Sequence, residues 1–192
     1  RHRKVLQRFS TSNLKAIGRL EDRTEITIGG LVRKVRQVVI KQGPQAGQKM
    51  GIIELEDLTS VSECVISPKM WSTMSESIKE DAILFVKATV DRRRDPPSMR
   101  VSDVIPIEQA AMRLAKRVVI TLDAGDALEQ RMKDMTVLIR RFPGGCPVIF
   151  ELKTSEFGLV QIQAGDNYRV AVSEALGAAL ESTVGSEGFR FA

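Results

Sequence analysis

Residues 24–41, TEITIGGLVRKVRQVVIK, form one long run that is rich in β-branched residues. Valine and isoleucine favour strands, and this run is longer than an ordinary strand of about five or six residues. The pair Gly29-Gly30 interrupts it, and there we expect a β-bulge or a sharp bend. A long strand that bends in this way can serve two sheets, which is typical of a small closed barrel.

Four more strands and one helix are predicted after it. The loop KQGPQAGQ (41–48) ends the first strand, Pro68 opens the helix, and the turn DPP (95–97) separates the last two strands. In chain order the predicted elements are MGIIELED (50–57), VSECVIS (61–67), the helix PKMWSTMSESIKE (68–80), DAILFVKATVDRRR (81–94) and SMRVSDVIPI (98–107). Three strands, a helix and two strands are the order of the five-stranded oligonucleotide/oligosaccharide-binding (OB) barrel.

A small α+β domain is predicted after the barrel. Its first helix is predicted over 125–142, where apolar residues recur at spacings of three and four and so form one buried face; PGG (143–145) stops this helix. The other predicted elements are the strands RVVITLD (117–123), PVIFELKT (147–154), GLVQIQAG (158–165) and NYRVAVS (167–173) and the helix EALGAALEST (174–183). We therefore expect an N-terminal arm over 1–23, an OB domain over 24–110 and an α+β domain over 111–192.

Basic residues are concentrated in the first quarter of the chain. Residues 1–50 carry 12 basic and 3 acidic residues, although the whole chain has a formal charge of only +5. Such asymmetry is typical of a polyanion-binding surface, although a solvated charged surface would give the same pattern. In OB barrels the loops between strands 1 and 2 and between strands 4 and 5 flank the ligand face. The predicted nucleic-acid contacts are therefore Arg33, Lys34, Arg36, Lys41, Lys49, Arg92, Arg93 and Arg94.

The face on which two of these residues lie is left open by the pattern. Without a bulge, Lys34 and Arg36 have the same parity as Ile26 and Ile28, which are expected in the core. Either the strand extends beyond the barrel after Val32, or Gly29-Gly30 shifts its register. For Arg92, Arg93 and Arg94 the alternative role is a charged sheet edge that opposes aggregation.

Catalytic and metal chemistry are disfavoured by composition. The only histidine is His2, which nearly excludes a histidine-based metal site or catalytic pair. Glu54, Glu56 and Asp57 are better explained as strand and turn residues than as a two-metal site. We expect no catalytic residue, no cofactor and no small-molecule substrate. The widely spaced cysteines and the absence of a long apolar run favour a cytoplasmic protein.

The quoted segments resemble a known family. ITIGGLVRKVR (26–36), GQKMGIIELEDLTSVSECVISP (47–68) and SMRVSDVIPIEQA (98–110), followed by RRFPGGCPVIFEL (140–152), resemble the C-terminal region of the bacterial DNA polymerase III alpha subunit. GQKM followed by LEDL is the most specific part. The OB order alone is shared with anticodon-binding and repair proteins.

The resemblance implies a non-catalytic part of a DNA polymerase, and the lack of an initiator methionine fits a piece of a longer chain. It implies that the barrel contacts single-stranded template DNA and that the second domain contacts the clamp loader's tau subunit. Few aromatic residues are available for base stacking, so we expect weak, salt-sensitive DNA binding. The alternative is a protein-docking module in which the barrel is a spacer. Phe189 and Phe191, for which the pattern offers no core, are the predicted partner contacts.

Overall fold

The computed structural model describes residues 2–192, which divide into two compact units that meet in sequence at Ala110 and Ala111. The first unit is a closed five-stranded barrel, and the second contains a four-stranded sheet with helices. No helix within residues 2–192 is both long enough and apolar enough to cross a membrane.

The barrel of the first unit has the predicted OB topology. A short helix α1 (Arg3–Phe9) and a 3-10 turn (Leu14–Arg19) precede the barrel. The elements that follow are β1 (Glu25–Val39), β2 (Lys49–Glu56), β3 (Val61–Ile66), α2 (Pro68–Met74), β4 (Ile83–Asp91), β5 (Ser98–Pro106) and α3 (Ala110–Leu114). The strands close in the order β1-β2-β3-β5-β4, with antiparallel neighbours except for the parallel pair β3 and β5.

Strand β1 serves both halves of the barrel, as predicted, but its bulge is not where we expected it. Residues 25–31 pair with β4 without a shift across Gly29-Gly30. The shift occurs at Arg33, because Val32 faces Leu55 of β2 whereas Lys34 faces the next residue of β2, Glu54. Of the two features expected at Gly29-Gly30, a β-bulge or a sharp bend, the bulge is therefore wrong.

The glycines of β1 and β2 are required by close packing instead. A Cβ on Gly29 would overlap the ring of Phe85, and one on Gly30 would overlap the carbonyl group of Glu56. A Cβ on Gly51 of β2 would overlap the indole of Trp71, which belongs to α2 and is buried. Helix α2 therefore closes the barrel by packing a flat ring on a strand that has no side chain at that point.

The second unit consists of β6 (Val118–Asp123), α4 (Leu128–Ile139), β7 (Pro143–Cys146), β8 (Val148–Thr154), β9 (Gly158–Gln163), α5 (Glu174–Val184) and β10 (Phe189–Phe191). Its sheet has the strand order β10-β6-β8-β9. The buried residues come from the strands and from α4 and α5, including Met135, Ile139, Leu176 and Leu180.

One local prediction for this unit is wrong. Residues 167–173 do not form a strand: Asp166–Tyr168 is a 3-10 turn, and Val170 makes only isolated bridges to Pro143 and Cys146. Helix α4 ends before the PGG segment, as predicted, and PGG itself belongs to the short strand β7, which was not predicted. Gly144 packs so closely on the backbone at Ala171 that a Cβ would overlap it, so the pairing depends on tertiary contact.

The C-terminal segment has a core to join, contrary to our expectation. It forms β10, which pairs antiparallel with β6 and places Phe189 opposite Ile120 and Phe191 opposite Val118. The two phenyl rings pack edge to face, with centroids 5.5 Å apart, and are partly buried against the core of the second unit. Arg190, between them, donates to both carboxylate oxygens of the buried Glu151 at 2.8 and 2.6 Å.

Candidate nucleic-acid interface

The bulge at Arg33 decides which face of β1 carries its cations. Val32 is fully buried and Val35 packs against the core, so Lys34 and Arg36 lie on the outer face of the barrel. On β2, the partly exposed Glu54 lies opposite Lys34, and its Oε1 is 3.9 Å from Nη2 of Arg36. The extra residue thus reverses the parity that the sequence suggests, because a bulge places two residues of one strand opposite one residue of its partner.

A groove runs along this outer face between the β1–β2 and β4–β5 loops. Its volume is about 680 Å³. Its apolar floor includes Met50 and Val65, and its rim includes Ile40 and Gln45 from one loop. The cations that line it are Arg93, Arg94 and Arg100.

Glu63 holds two arginines together beside this groove. Its Oε2 accepts from Nη2 of Arg36 at 2.9 Å, and its Oε1 lies 3.7 Å from Nη1 of Arg94. Arg36 belongs to β1 and Arg94 to the β4–β5 loop, so one carboxylate on β3 joins both sides of the face. It neutralises part of the positive charge and also orients the two guanidinium groups.

Asp91, at the end of β4, likewise binds and orients two other arginines. Its carboxylate accepts from Arg93 at 2.6 Å and from Arg100 at 2.8 Å. The side-chain hydrogen bonds of Arg93 hold the pKa of Asp91 well below its usual range, against the effect of burial, with help from the Arg93 backbone N–H and from Arg100. Asp91 is therefore ionised at any pH near neutrality, and the β4–β5 loop is anchored by its own charges.

The predicted cations divide into three groups. Arg93 and Arg94 line the groove, and Arg36 lies beside it, paired with the same carboxylate, Glu63, as Arg94. Three exposed lysines have no ion-pair partner within residues 2–192: Lys34 on the outer face, Lys41 in the β1–β2 loop, and Lys49 at the start of β2. Lys49 lies beside Trp71 of α2 and does not line the groove.

Arg33 and Arg92 make other contacts. Arg33, the bulge residue, pairs with Glu56 at 2.9 Å. Arg92 donates from Nη1 to the carbonyl oxygens of Gly18 and Leu20 at 3.0 and 2.7 Å, and so ties the N-terminal segment to the barrel. Neither residue lines the groove.

Arg100 is a groove residue that we did not predict. It stands on β5 opposite Val65 of β3, between the buried residues Met99 and Val101. Strict alternation in SMRVSD, with Met99 and Val101 inward, is the signal that would have placed Arg100 outward.

Aromatic rings are not part of this groove as the structure describes it. Trp71 is buried, and its Nε1 donates to Oε1 of Gln37 at 3.0 Å. Phe85 is also fully buried, but it lies on the face of β4 away from the barrel core and packs edge to face on Phe9 of α1, with ring centroids 6.1 Å apart. The groove therefore offers three guanidinium groups and the Asp91 carboxylate around a small apolar floor, without a ring on which a base can stack.

The carboxylates of β2 and its turn are not arranged for metal chemistry. Oδ1 of Asp57 accepts from the backbone N–H groups of Thr59 and Ser60, at 2.7 and 2.9 Å, which confirms its predicted role in the turn. Burial opposes ionisation of Asp57, but hydrogen bonds from Thr59, Leu14 and Ser60 leave its pKa below the usual value. Residues 2–192 contain no group of three or more His, Cys, Asp or Glu residues placed to hold a metal ion.

Comparison with known proteins agrees with this fold. Residues 26–107 match the family described as OB-fold nucleic acid binding domain. The chain is 25% identical to the DNA polymerase III subunit alpha of Halalkalibacterium halodurans over 168 residues, which is 86% of this chain and 14% of that protein. It is 26% identical to the same subunit of Pseudomonas fluorescens over 163 residues, which is 84% of this chain and again 14% of that protein.

Solved structures give a looser overlap. The mitochondrial single-stranded DNA binding protein Rim1 of S. cerevisiae covers 45% of this chain and 95% of its own, with 10% identity and a TM-score of 0.37. An overlap this low supports no conclusion about the present chain.

The chain spans about 14% of the length of the polymerase subunits that it matches. The predicted similarity to these subunits is confirmed, and it covers a small part of them that includes the OB region. Residues 26–107 fold as an OB barrel and match the model of OB-fold nucleic acid binding domains, within a chain that is similar along most of its length to DNA polymerase III alpha subunits.

Proposed function

We propose that the first unit binds single-stranded DNA along the groove between the β1–β2 and β4–β5 loops. The observation that carries this proposal is the line of Arg93, Arg94 and Arg100 along a groove of about 680 Å³ on the OB ligand face. The similarity to a replicative polymerase supports DNA as the ligand, and such a role would place the protein in the cytoplasm.

The proposed contacts are mainly with phosphate groups. Arg94 and Arg36 would exchange their ion pairs with Glu63 for DNA phosphates, while Lys34 and Lys41 would contribute without losing a partner. The floor at Met50 and Val65 would accept sugars or bases without reading their sequence. Binding of this kind releases counterions, so its affinity falls steeply as salt rises.

Fluorescence anisotropy with a labelled single-stranded oligonucleotide tests this proposal. The double variant Arg94→Glu/Arg100→Glu is expected to lose about tenfold or more in affinity at low salt and to show a shallower salt dependence. Lys79→Glu, which makes one charge reversal away from the groove, is the control, since this exposed lysine precedes β4, at the end opposite the β4–β5 loop. Absence of binding at low salt, or equal affinities of the two variants, would contradict the proposal.

For the second unit we propose docking of a replisome partner, with the clamp loader's tau subunit as the candidate. Similarity to the polymerase subunits covers 86% of the chain and so extends beyond the barrel, which supports a shared role. The surface around β10, with Phe189 and Phe191, is the predicted contact. Immobilised tau is expected to retain the full chain at a salt concentration that abolishes DNA binding. Failure to retain it would refute docking and leave the DNA proposal untouched.

A further inference from the structure

The sheet of the second unit has two edges of different character. At one edge, β10 is three residues long and carries Arg190. At the other edge, β9 is six residues long, has the sequence GLVQIQ, and contains neither a charged residue nor a proline. Native proteins usually protect an exposed edge with charge, proline or short length. Strand β9 has none of these protections.

The backbone of β9 presents unused hydrogen-bonding groups at this edge. The N–H of Ala164 donates to the carbonyl oxygen of Val148, which makes these two opposite residues a hydrogen-bonded pair. In an antiparallel ladder such pairs alternate, so Val160 and Ile162 are bonded to β8. Leu159, Gln161 and Gln163 therefore point their N–H and C=O groups outward, where no backbone partner is found among the described residues.

Exposed apolar side chains accompany these groups. Phe157, at the turn before β9, is 73% exposed, and Leu159 and Ile162 in the strand are 54% and 43% exposed. An edge that combines free backbone groups, apolar side chains and no charge is suited to pairing with another strand.

We propose that β9 pairs antiparallel with β9 of a second copy of this chain, about a two-fold axis at Gln161. This register places Leu159 opposite Gln163 of the other copy, so that every outward-pointing residue meets another outward-pointing residue. It also places Val160 opposite Ile162, so that each of these apolar side chains is covered by the other. The pairing is isologous and closes after two copies.

A second copy of β9 fits this edge because the strand carries no charged residue, so no like charges oppose each other within the strand pair. The two four-stranded sheets would then form one continuous eight-stranded sheet. The new contact is one strand wide, so we expect weak, concentration-dependent association. This inference is independent of DNA binding, since the groove lies in the first unit.

Sedimentation equilibrium of the full chain over a wide concentration range tests the proposal. The expected mass rises from that of a monomer, 21.3 kDa, towards twice that value. Gln161→Pro removes the outward N–H and is expected to raise the dimer dissociation constant about tenfold or more. Gln161→Ala removes the same side chain and keeps the N–H, so it is expected to dimerise like the unmodified chain.

A second pair of variants guards against misfolding as an explanation. Ile162→Lys introduces charge into the apolar cross-strand pair and is expected to abolish dimerisation. Val137→Lys places the same charge on α4, where the side chain is 66% exposed, and is expected to leave dimerisation intact. A mass that stays monomeric at all concentrations, assemblies larger than two, or equal behaviour of Gln161→Pro and Gln161→Ala would overturn the proposal.

Discussion

Arg36 of β1 and Glu63 of β3 are joined across the width of β2, with 2.9 Å between Nη2 and Oε2. The second oxygen of Glu63 lies 3.7 Å from Arg94, so the same carboxylate faces both sides of the groove. All three side chains are partly exposed, so these ion pairs add little to stability. Their main consequence concerns binding, because a DNA phosphate must compete with Glu63 for the two guanidinium groups.

Glu63→Gln is expected to raise the affinity for single-stranded DNA at low salt. Removing the competing charge frees Arg36 and Arg94, and the gain should be about three- to tenfold. Anisotropy titrations measure this change, with Glu76→Gln, an exposed carboxylate after α2, as the control. Equal affinity of Glu63→Gln and the unmodified chain would show that Glu63 does not compete with phosphate.

Asp91→Asn is expected to destabilise the barrel at neutral pH, by about 1 kcal/mol, because the anchors of Arg93 and Arg100 are lost. The pKa of Asp91 in the folded state lies well below the ordinary value of about 3.9. Its stabilising contribution is therefore complete above about pH 4 and is lost as the pH falls towards the folded-state pKa.

Urea unfolding of both proteins at a series of pH values checks this. The difference in unfolding free energy should be constant from pH 7 to about pH 5 and should shrink below about pH 4. A difference that does not change with pH would mean that Asp91 acts through packing and not through its charge.

Arg92 and Arg94 are expected to give opposite results although they are two residues apart. Arg92→Ala removes the hydrogen bonds to Gly18 and Leu20 and should lower the free energy of unfolding by about 1 kcal/mol, with DNA affinity unchanged. Arg94→Ala should lower DNA affinity and leave stability unchanged. Parallel unfolding and anisotropy measurements separate the two effects. A loss of DNA affinity in Arg92→Ala would show that Arg92 belongs to the DNA interface.

Gly51→Ala is expected to destabilise the first unit by about 2 kcal/mol or more, because the added methyl group would overlap the ring of Trp71. Trp71 is the single tryptophan, so its fluorescence reports both the unfolding midpoint and any displacement of α2. Gly18→Ala is the control, since a Cβ there would meet no atom within 4 Å. Equal midpoints for the two variants would refute the packing of Trp71 on Gly51.

Phe189→Ala is expected to destabilise the second unit by about 2 kcal/mol, because the ring is partly buried against the core and packs on Phe191. Phe157→Ala, at a ring that is 73% exposed, should change stability by less than about 0.5 kcal/mol. Calorimetry measures both. If Phe189→Ala were neutral, the segment 189–191 would not be part of the sheet.

Much of the barrel follows from local pattern alone. Alternation of apolar and polar residues, Pro68 at the start of α2 and the loop around Gly43 are short-range signals, and they were enough for the strand order and the OB fold. The same order placed Arg93 and Arg94 beside the ligand face, because loop position in this topology follows from strand order. Arg100 could have been added by extending the alternation of β5.

Other features depend on contacts between residues far apart in the chain. The face that carries Lys34 and Arg36 depends on the register of β1 against β2, and the bulge at Arg33 moves both residues from the core side to the surface. The strand at Phe189–Phe191 exists because β6 offers it an edge, and residues 167–173 pair too little to form one.

The sequence by itself therefore determined the order of the barrel's elements and the positions of the basic residues along the chain. Only the tertiary structure decided which of those charges share one groove, because a strand's register depends on a partner that no local pattern identifies.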